Sequence, residues 1–354
     1  MGEDLDITVQ YKDSAPVIVE PTIPADAKEY CGKVQFCDTV SPPAVSLLHR
    51  SLSEWGHRTL RWLSSLVSSV MSTVSGDSGS SSSSCSTTPR PCVFVAGLGQ
   101  KTDYGLSTTD SKPYFGDEFQ DYVPCCSWYD LTLVNELVGY LLEVSSSSDS
   151  STGLIADTVI FTHSSANNML AYAISQNLCS LASSTTWPGA SAPMMGSMGS
   201  NFIQETCDGT LSGVVSSLLE LLDECPVTPG RTALSYESGS YASSELKAAY
   251  EAAQTAYATN VDAVMCSSSY SGLPSRVRHG RRGDLAQGFS ENDGLVEYQS
   301  CAYGLDTSTF SSSYTSTNCL TELNHQDCTF RDGDSLFSDV KNKKPMKWLQ
   351  HLLS

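Results

Sequence analysis

The sequence predicts an α/β fold, a mostly parallel sheet covered by helices on both faces. Three observations predict it. Short apolar runs recur at Cys92 to Ala96, Thr158 to Phe161 and Ala263 to Cys266. Segments with helical apolar spacing lie between them. The runs are apolar throughout rather than alternating, as expected of strands buried on both faces. With 354 residues, 40% of them apolar, the chain can fill one large core or two small ones.

Taken in order, residues 1–88 form an N-terminal extension and residues 89–354 the α/β domain. Residues 1–44 read as irregular, with Pro16, Pro21, Pro24, Pro42 and Pro43 and one strand-like run at Val17 to Val19. In residues 45–74, Leu48, Leu52, Trp55, Leu63, Leu66, Val67, Val70 and Val74 recur at near-helical spacing, with Arg50, Arg58 and Arg61 among them. This predicts a helix packed on the main domain; the rival reading is a membrane-surface helix giving peripheral membrane contact. Residues 76–88 include an unbroken run from Ser80 to Ser84 and read as a flexible linker. Beyond it, apolar periodicity predicts helices over 131–144, 167–178, 211–222, 245–258 and 346–353. The serine tract 145–151 predicts a surface loop.

The formal net charge is -19, and only 17% of residues are charged. An acidic surface repels phosphate backbones, which excludes nucleic acid as a partner and argues against anionic substrates. Thirteen cysteines, with Cys125 and Cys126 adjacent, predict disulfides and so a secretory or extracellular setting. Met1 to Gln10 has neither the basic nor the apolar region of a signal peptide, and no run reaches the roughly 18 apolar residues of a membrane span. The two signals disagree, and the location stays open. No Cys or His grouping has metal-ligand spacing, so no metal and no cofactor is expected.

The chemistry concentrates at Ile160-Phe161-Thr162-His163-Ser164-Ser165-Ala166-Asn167. A β-branched strand runs into a sharp turn and then a helix. A serine at such a turn is lifted clear of the sheet, and its neighbours must be small where strand and helix approach. The turn is normally written G-x-S-x-G; here Thr162 and Ala166 replace the glycines. The structural rival is a serine that only N-caps the following helix. Downstream, Asp293 sits in Asn292-Asp293-Gly294-Leu295-Val296, and His325 sits in Asn324-His325-Gln326-Asp327. Upstream, a strand ends at Gly97-Leu98-Gly99. Serine, acid and histidine in that chain order form a more specific signal than any one of them.

These motifs resemble the α/β-hydrolase superfamily on its lipase and esterase side. They are also similar to a eukaryotic-microbial group with a T-H-S-M-G-N elbow, a P-M-x-G-S segment (here Pro193 to Ser197), a late N-D-G-x-V turn and an N-H-x-D motif. The resemblance spans roughly residues 90–352. It implies an α/β-hydrolase fold and a serine hydrolase cleaving a carboxylic ester, of a small molecule or a lipid, through an acyl-enzyme. Ser164 would be the nucleophile, His325 the base and Asp293 its orienting acid. Backbone N–H groups of Ser165 and of Leu98 or Gly99 would form the oxyanion hole. His163 is expected to be structural, pointing away from the chemistry. Asp327, Asp332 and Asp334 compete for the acid role but follow His325 in the chain. Two rival functions remain at this point: a non-catalytic binding protein of the same fold, and an acyltransferase using the same triad.

Overall fold

A computed structural model of the chain describes residues 91–95, 97, 127–209, 226–273, 289–330, 333–335, 337 and 339–353. The expected helices over 45–74 and 211–222, the serine linker, and the extension as a whole lie outside the described residues.

Five main strands follow the apolar runs and two less obvious segments: β1 (Cys92–Val95), β3 (Val159–His163), β5 (Pro188–Ala190), β6 (Ala263–Ser267) and β8 (Asn318–Thr321). A two-residue strand, β7 (Phe310–Ser311), completes a six-stranded sheet in the order β1-β3-β5-β6-β8-β7. Every neighbouring pair in it is parallel. A second, two-stranded parallel ladder joins β2 (Leu154–Ile155) to β4 (Ser180–Leu181).

The apolar runs of β1, β3 and β6 do not alternate with polar residues because each face of the sheet has its own core. Side chains alternate along a strand, so successive residues go to opposite faces. Ile160, Val264 and Cys266 join one buried cluster, while Phe161, Ala263 and Met265 join the other. The first face is covered by α1 (Leu131–Glu143), α2 (Ser165–Ser175) and α5 (Ser244–Asn260). In α5 the buried positions Leu246, Ala249, Tyr250, Ala253, Ala256 and Tyr257 recur every three or four residues, which puts them on one stripe. The alanines let α2 approach α5 closely. Side-chain caps fix two of these helix starts. Asp130 accepts from the Thr132 and Leu133 amides, and Ser243 accepts from Leu246.

The opposite face is covered by α7 (Pro345–Leu353), with Trp348 fully buried and its Nε1 donating to the Ser316 carbonyl. Phe94, Phe161 and Phe330 pack there as a trio, the closest ring centroids 4.7 Å apart. Short helices α3 (Met198–Cys207), α4 (Pro229–Thr232) and α6 (Tyr298–Cys301) complete the described α-helices.

Trp187, Tyr250 and Tyr257 are fully buried. The disulfide expectation is met at Cys266, on β6, which is bonded to Cys301 at the end of α6, with Cα atoms 5.6 Å apart. Cys92 and Cys207 are disulfide-bonded as well. Buried Cys179, Cys319 and Cys328 are free thiols.

Candidate active site

Every element that contributes to the site does so from the carboxyl edge of the sheet, where parallel α/β sheets bind their ligands. β3 ends at His163 and α2 begins at Ser165, so Ser164 is the single residue of the turn between them. Its backbone has φ 55° and ψ -134°. That conformation is costly for a side-chain-bearing residue, about 1–3 kcal/mol, and persists only where its surroundings over-determine it. Two bonds help to hold it: the Ser164 amide donates to the Ala190 carbonyl at 3.0 Å, and the Ser164 carbonyl accepts from the Asn167 amide at 3.0 Å. The hydroxyl makes no capping hydrogen bond to α2, which removes the reading of Ser164 as a helix cap.

The missing elbow glycines do not crowd the turn. Thr162, in the first glycine's place, is fully buried and wired into a chain. Trp187 Nε1 donates to Thr162 Oγ1 at 2.7 Å, and Thr162 Oγ1 donates to Asn167 Oδ1 at 2.6 Å. Asn167 Nδ2 then donates to the carbonyls of Ser164 at 2.9 Å and Ala190 at 3.0 Å. The close-approach glycines come from neighbouring strands instead. A Cβ on Gly97, just past β1, would stand 2.4 Å from Ser164 Cβ, and one on Gly189 in β5 would stand 2.4 Å from Asn167 Oδ1. A side chain on Gly97 would displace Ser164, and one on Gly189 would displace the Asn167 amide group.

Asp293 and His325 are brought together. His325 Nδ1 lies 2.8 Å from Asp293 Oδ2, and the His325 amide donates to the Asp293 carbonyl at 2.9 Å. The acid turn explains why Asp293 can be charged while only 2% exposed. Its Oδ1 accepts from the Leu295 amide at 2.9 Å and the Val296 amide at 2.7 Å. Gly294 turns the chain at φ +99°, which favours glycine. Burial pushes the Asp293 pKa up, but the His325 imidazole and the two amides outweigh it and hold the carboxyl below its ordinary value. With Nδ1–H donated to Asp293, the other ring nitrogen, Nε2, is the basic one.

The histidine loop is held separately. Asn324 Oδ1 accepts from the Gln326 amide at 3.1 Å and the Asp327 amide at 2.9 Å. Asp327, the nearest rival acid, accepts from the Leu273 amide at 2.6 Å. Asp334 accepts from the Met346 amide at 2.8 Å, at the start of α7. Asp332 lies outside the described residues, as do Leu98, Gly99, His49, His57 and His279. Ser165, the other expected oxyanion donor, is the first residue of α2, so its amide has no intrahelical partner.

His163 makes a structural contact, as expected, but points toward His325. Its ring lies beside that of His325, with centroids 4.5 Å apart, and its Nε2–H donates to the His325 carbonyl at 2.9 Å. Rather than pointing away, it steadies the backbone of the histidine loop from the residue before Ser164. Asn167, Gly97 and Gly189 also escaped the sequence reading. Their roles depend on what neighbouring strands present, and only Asn167, a polar residue one turn into an apolar helix, leaves a local trace.

No family model matches the sequence, and no curated protein matches it. Among solved structures, the chain is similar to the mature Bacillus licheniformis lipase BlEst2, at 15% identity over 69% of this chain and 87% of that one, with a TM-score of 0.43. It is also similar to lipase 1 of Pelosinus fermentans, at 12% identity over 75% and 97%, TM-score 0.35. A third is the Staphylococcus hyicus lipase, at 11% identity over 74% and 93%, TM-score 0.34. A parallel sheet wrapped by helices on both faces, carrying a strand–Ser164–helix turn, an acid turn and a histidine loop at one edge, gives this chain the α/β-hydrolase fold.

Proposed function

We propose that the chain is a serine hydrolase that cleaves carboxylic esters of small molecules or lipids, with Ser164 as nucleophile, His325 as base and Asp293 as the orienting acid. The observation that carries this reading is the buried Asp293–His325 pair at the same sheet edge as a serine held at φ 55°. A structural ion pair needs no such neighbour, and a helix cap needs no such backbone.

His325 Nε2 takes the Ser164 Oγ proton as Oγ bonds to the ester carbonyl carbon, and the carbonyl electrons move onto oxygen. Amides of Ser165 and of Leu98 or Gly99 hold that oxyanion; losing one such donor typically costs about 3 kcal/mol. As the intermediate collapses, the alcohol leaves with the proton from His325. Water, deprotonated by His325, then releases the carboxylic acid. Asp293 stays ionised throughout, fixing the imidazole tautomer and stabilising the imidazolium. Close contact of Gly97 with Ser164 supports the residues after β1 as the second oxyanion donor.

A fluorophosphonate probe and a short-chain p-nitrophenyl ester test the reading. Wild type should label and turn over, and Ser164→Ala should do neither. Equal labelling of the two, or labelling of neither, refutes it.

A further inference from the structure

Glu297 lies four residues after Asp293, closes the acid turn through an antiparallel bridge with Asn292, and is fully buried. Its Oε1 accepts from the Met198 amide, the first of α3, at 3.0 Å. Its Oε2 is buried without a hydrogen-bond partner among the described residues. Three further bonds join the same two segments. Ser197 Oγ donates to the Leu295 carbonyl. The Met195 amide donates to Ser300 Oγ at 2.9 Å, and Ser300 Oγ donates to the Gly196 carbonyl at 2.8 Å. Residues 195–198 therefore form a brace behind the turn that presents Asp293, and Glu297 supplies the carboxyl group that joins the two.

A carboxylate in that position would be a second negative charge beside Asp293. The described titratable groups acting on it are Asp293 on its own turn, the Tyr236 phenol, and the Tyr250 phenol from α5; none is a cation, and only the amides of Met198 and of Glu297 itself oppose the burial. An uncompensated buried charge costs several kcal/mol, whereas a neutral carboxyl with one unmet hydrogen bond costs about 1–3 kcal/mol. The neutral form wins. We propose that Glu297 is a neutral positioning residue that braces the Asp293 turn against the start of α3, and that losing its proton releases the brace and sets the alkaline limit of the site. Burial, with a smaller push from Asp293, raises its pKa to about 8, so the release falls at mildly alkaline pH. The catalytic part of this inference rests on the hydrolase reading above.

The test compares full-length wild type with Glu297→Gln, which keeps the shape and the acceptor for Met198 but cannot ionise. The fluorophosphonate labelling rate of wild type should fall about tenfold per pH unit above about pH 8, following one deprotonation. Glu297→Gln should match wild type within about threefold at pH 7 and show no such fall. An identical alkaline fall in both proteins, or none in wild type up to pH 10, overturns the proposal. A second measurement needs no activity. Because the folded-state value lies above the ordinary 4.5, the unfolded chain loses this proton first. Wild-type stability relative to Glu297→Gln should therefore decline as pH rises from about 4.5 to about 8 and level off beyond. A pH-independent Tm difference would show that Glu297 is not a buried neutral acid. Absent labelling together with a sloping Tm difference would instead reject the hydrolase reading and retain the neutral brace.

Discussion

Replacing Asn167 with alanine tests the wiring of the Ser164 turn more sharply than replacing the serine itself. The substitution removes Nδ2 bonds to the Ser164 and Ala190 carbonyls and the Oδ1 acceptor for Thr162 Oγ1. Both carbonyls keep one partner each, from the Asn167 and Ser164 amides. Thr162 keeps its bond from Trp187 but is left with a buried hydroxyl proton and nothing to receive it. Three net bonds at about 1 kcal/mol each, plus an orphaned buried donor at about 1–3 kcal/mol, sum to about 4–6 kcal/mol. For a domain of this size that is a Tm fall of roughly 10 °C. The assay is thermal or urea unfolding of wild type, Thr162→Ala, Asn167→Ala and the double variant. The two side chains share a bond, so the double variant should cost less than the sum of the singles by at least about 0.5 kcal/mol. A Tm change under 2 °C for Asn167→Ala, or strict additivity in the cycle, would refute the account of how an elbow without its own glycines is held.

Ser164→Gly should abolish probe labelling yet raise Tm by about 2–4 °C, because glycine tolerates φ 55° and gives up the strain that serine stores there; a lowered Tm would mean that the strain is not real. Asp293→Asn should leave the fold intact and cut turnover by about ten-thousandfold through the wrong imidazole tautomer. The depressed Asp293 value means that its stabilisation is present above the ordinary 3.8 and is lost as pH falls through the native value. Acid unfolding followed by circular dichroism should accordingly be less steep below pH 4 in Asp293→Asn than in wild type, and equal slopes would contradict the bonding drawn for the carboxylate.

The sequence made some of this site visible and concealed the rest for physical reasons. β3 was legible because Val159-Ile160-Phe161 is apolar on both faces, and the acid turn because Asn-Asp-Gly supplies both a short polar side chain and a positive φ. The expected strand stopped at Phe161 while β3 runs on to His163, since Thr162 and His163 are polar yet fully enclosed by tertiary contacts. β5 escaped because it is three residues long and reads Pro-Gly-Ala, and β8 because Asn318 to Thr321 has no apolar run. The expected helix after the elbow began at Asn167, two residues late, because Ser165 and Ala166 carry no periodic apolar signal. How a turn with Thr162 and Ala166 is accommodated was not legible, because the close-approach glycines lie elsewhere, Gly97 just past β1 and Gly189 on β5. The direction of the His163 ring was not legible because adjacency to Ser164 says nothing about which loop, more than 160 residues later, comes to rest beside it.

The bond between Cys266 and Cys301 gives the site a covalent continuity independent of the main chain. The stretch it encloses leaves the sheet at β6, carries Asp293 and Glu297, and returns through α6 to the same strand. A peptide bond cut within that stretch would leave the fragment bearing Ser164 tethered to the fragment bearing His325. Ser164 and His325, the proposed nucleophile and base, would remain parts of one molecule for as long as the two sulfurs stay joined.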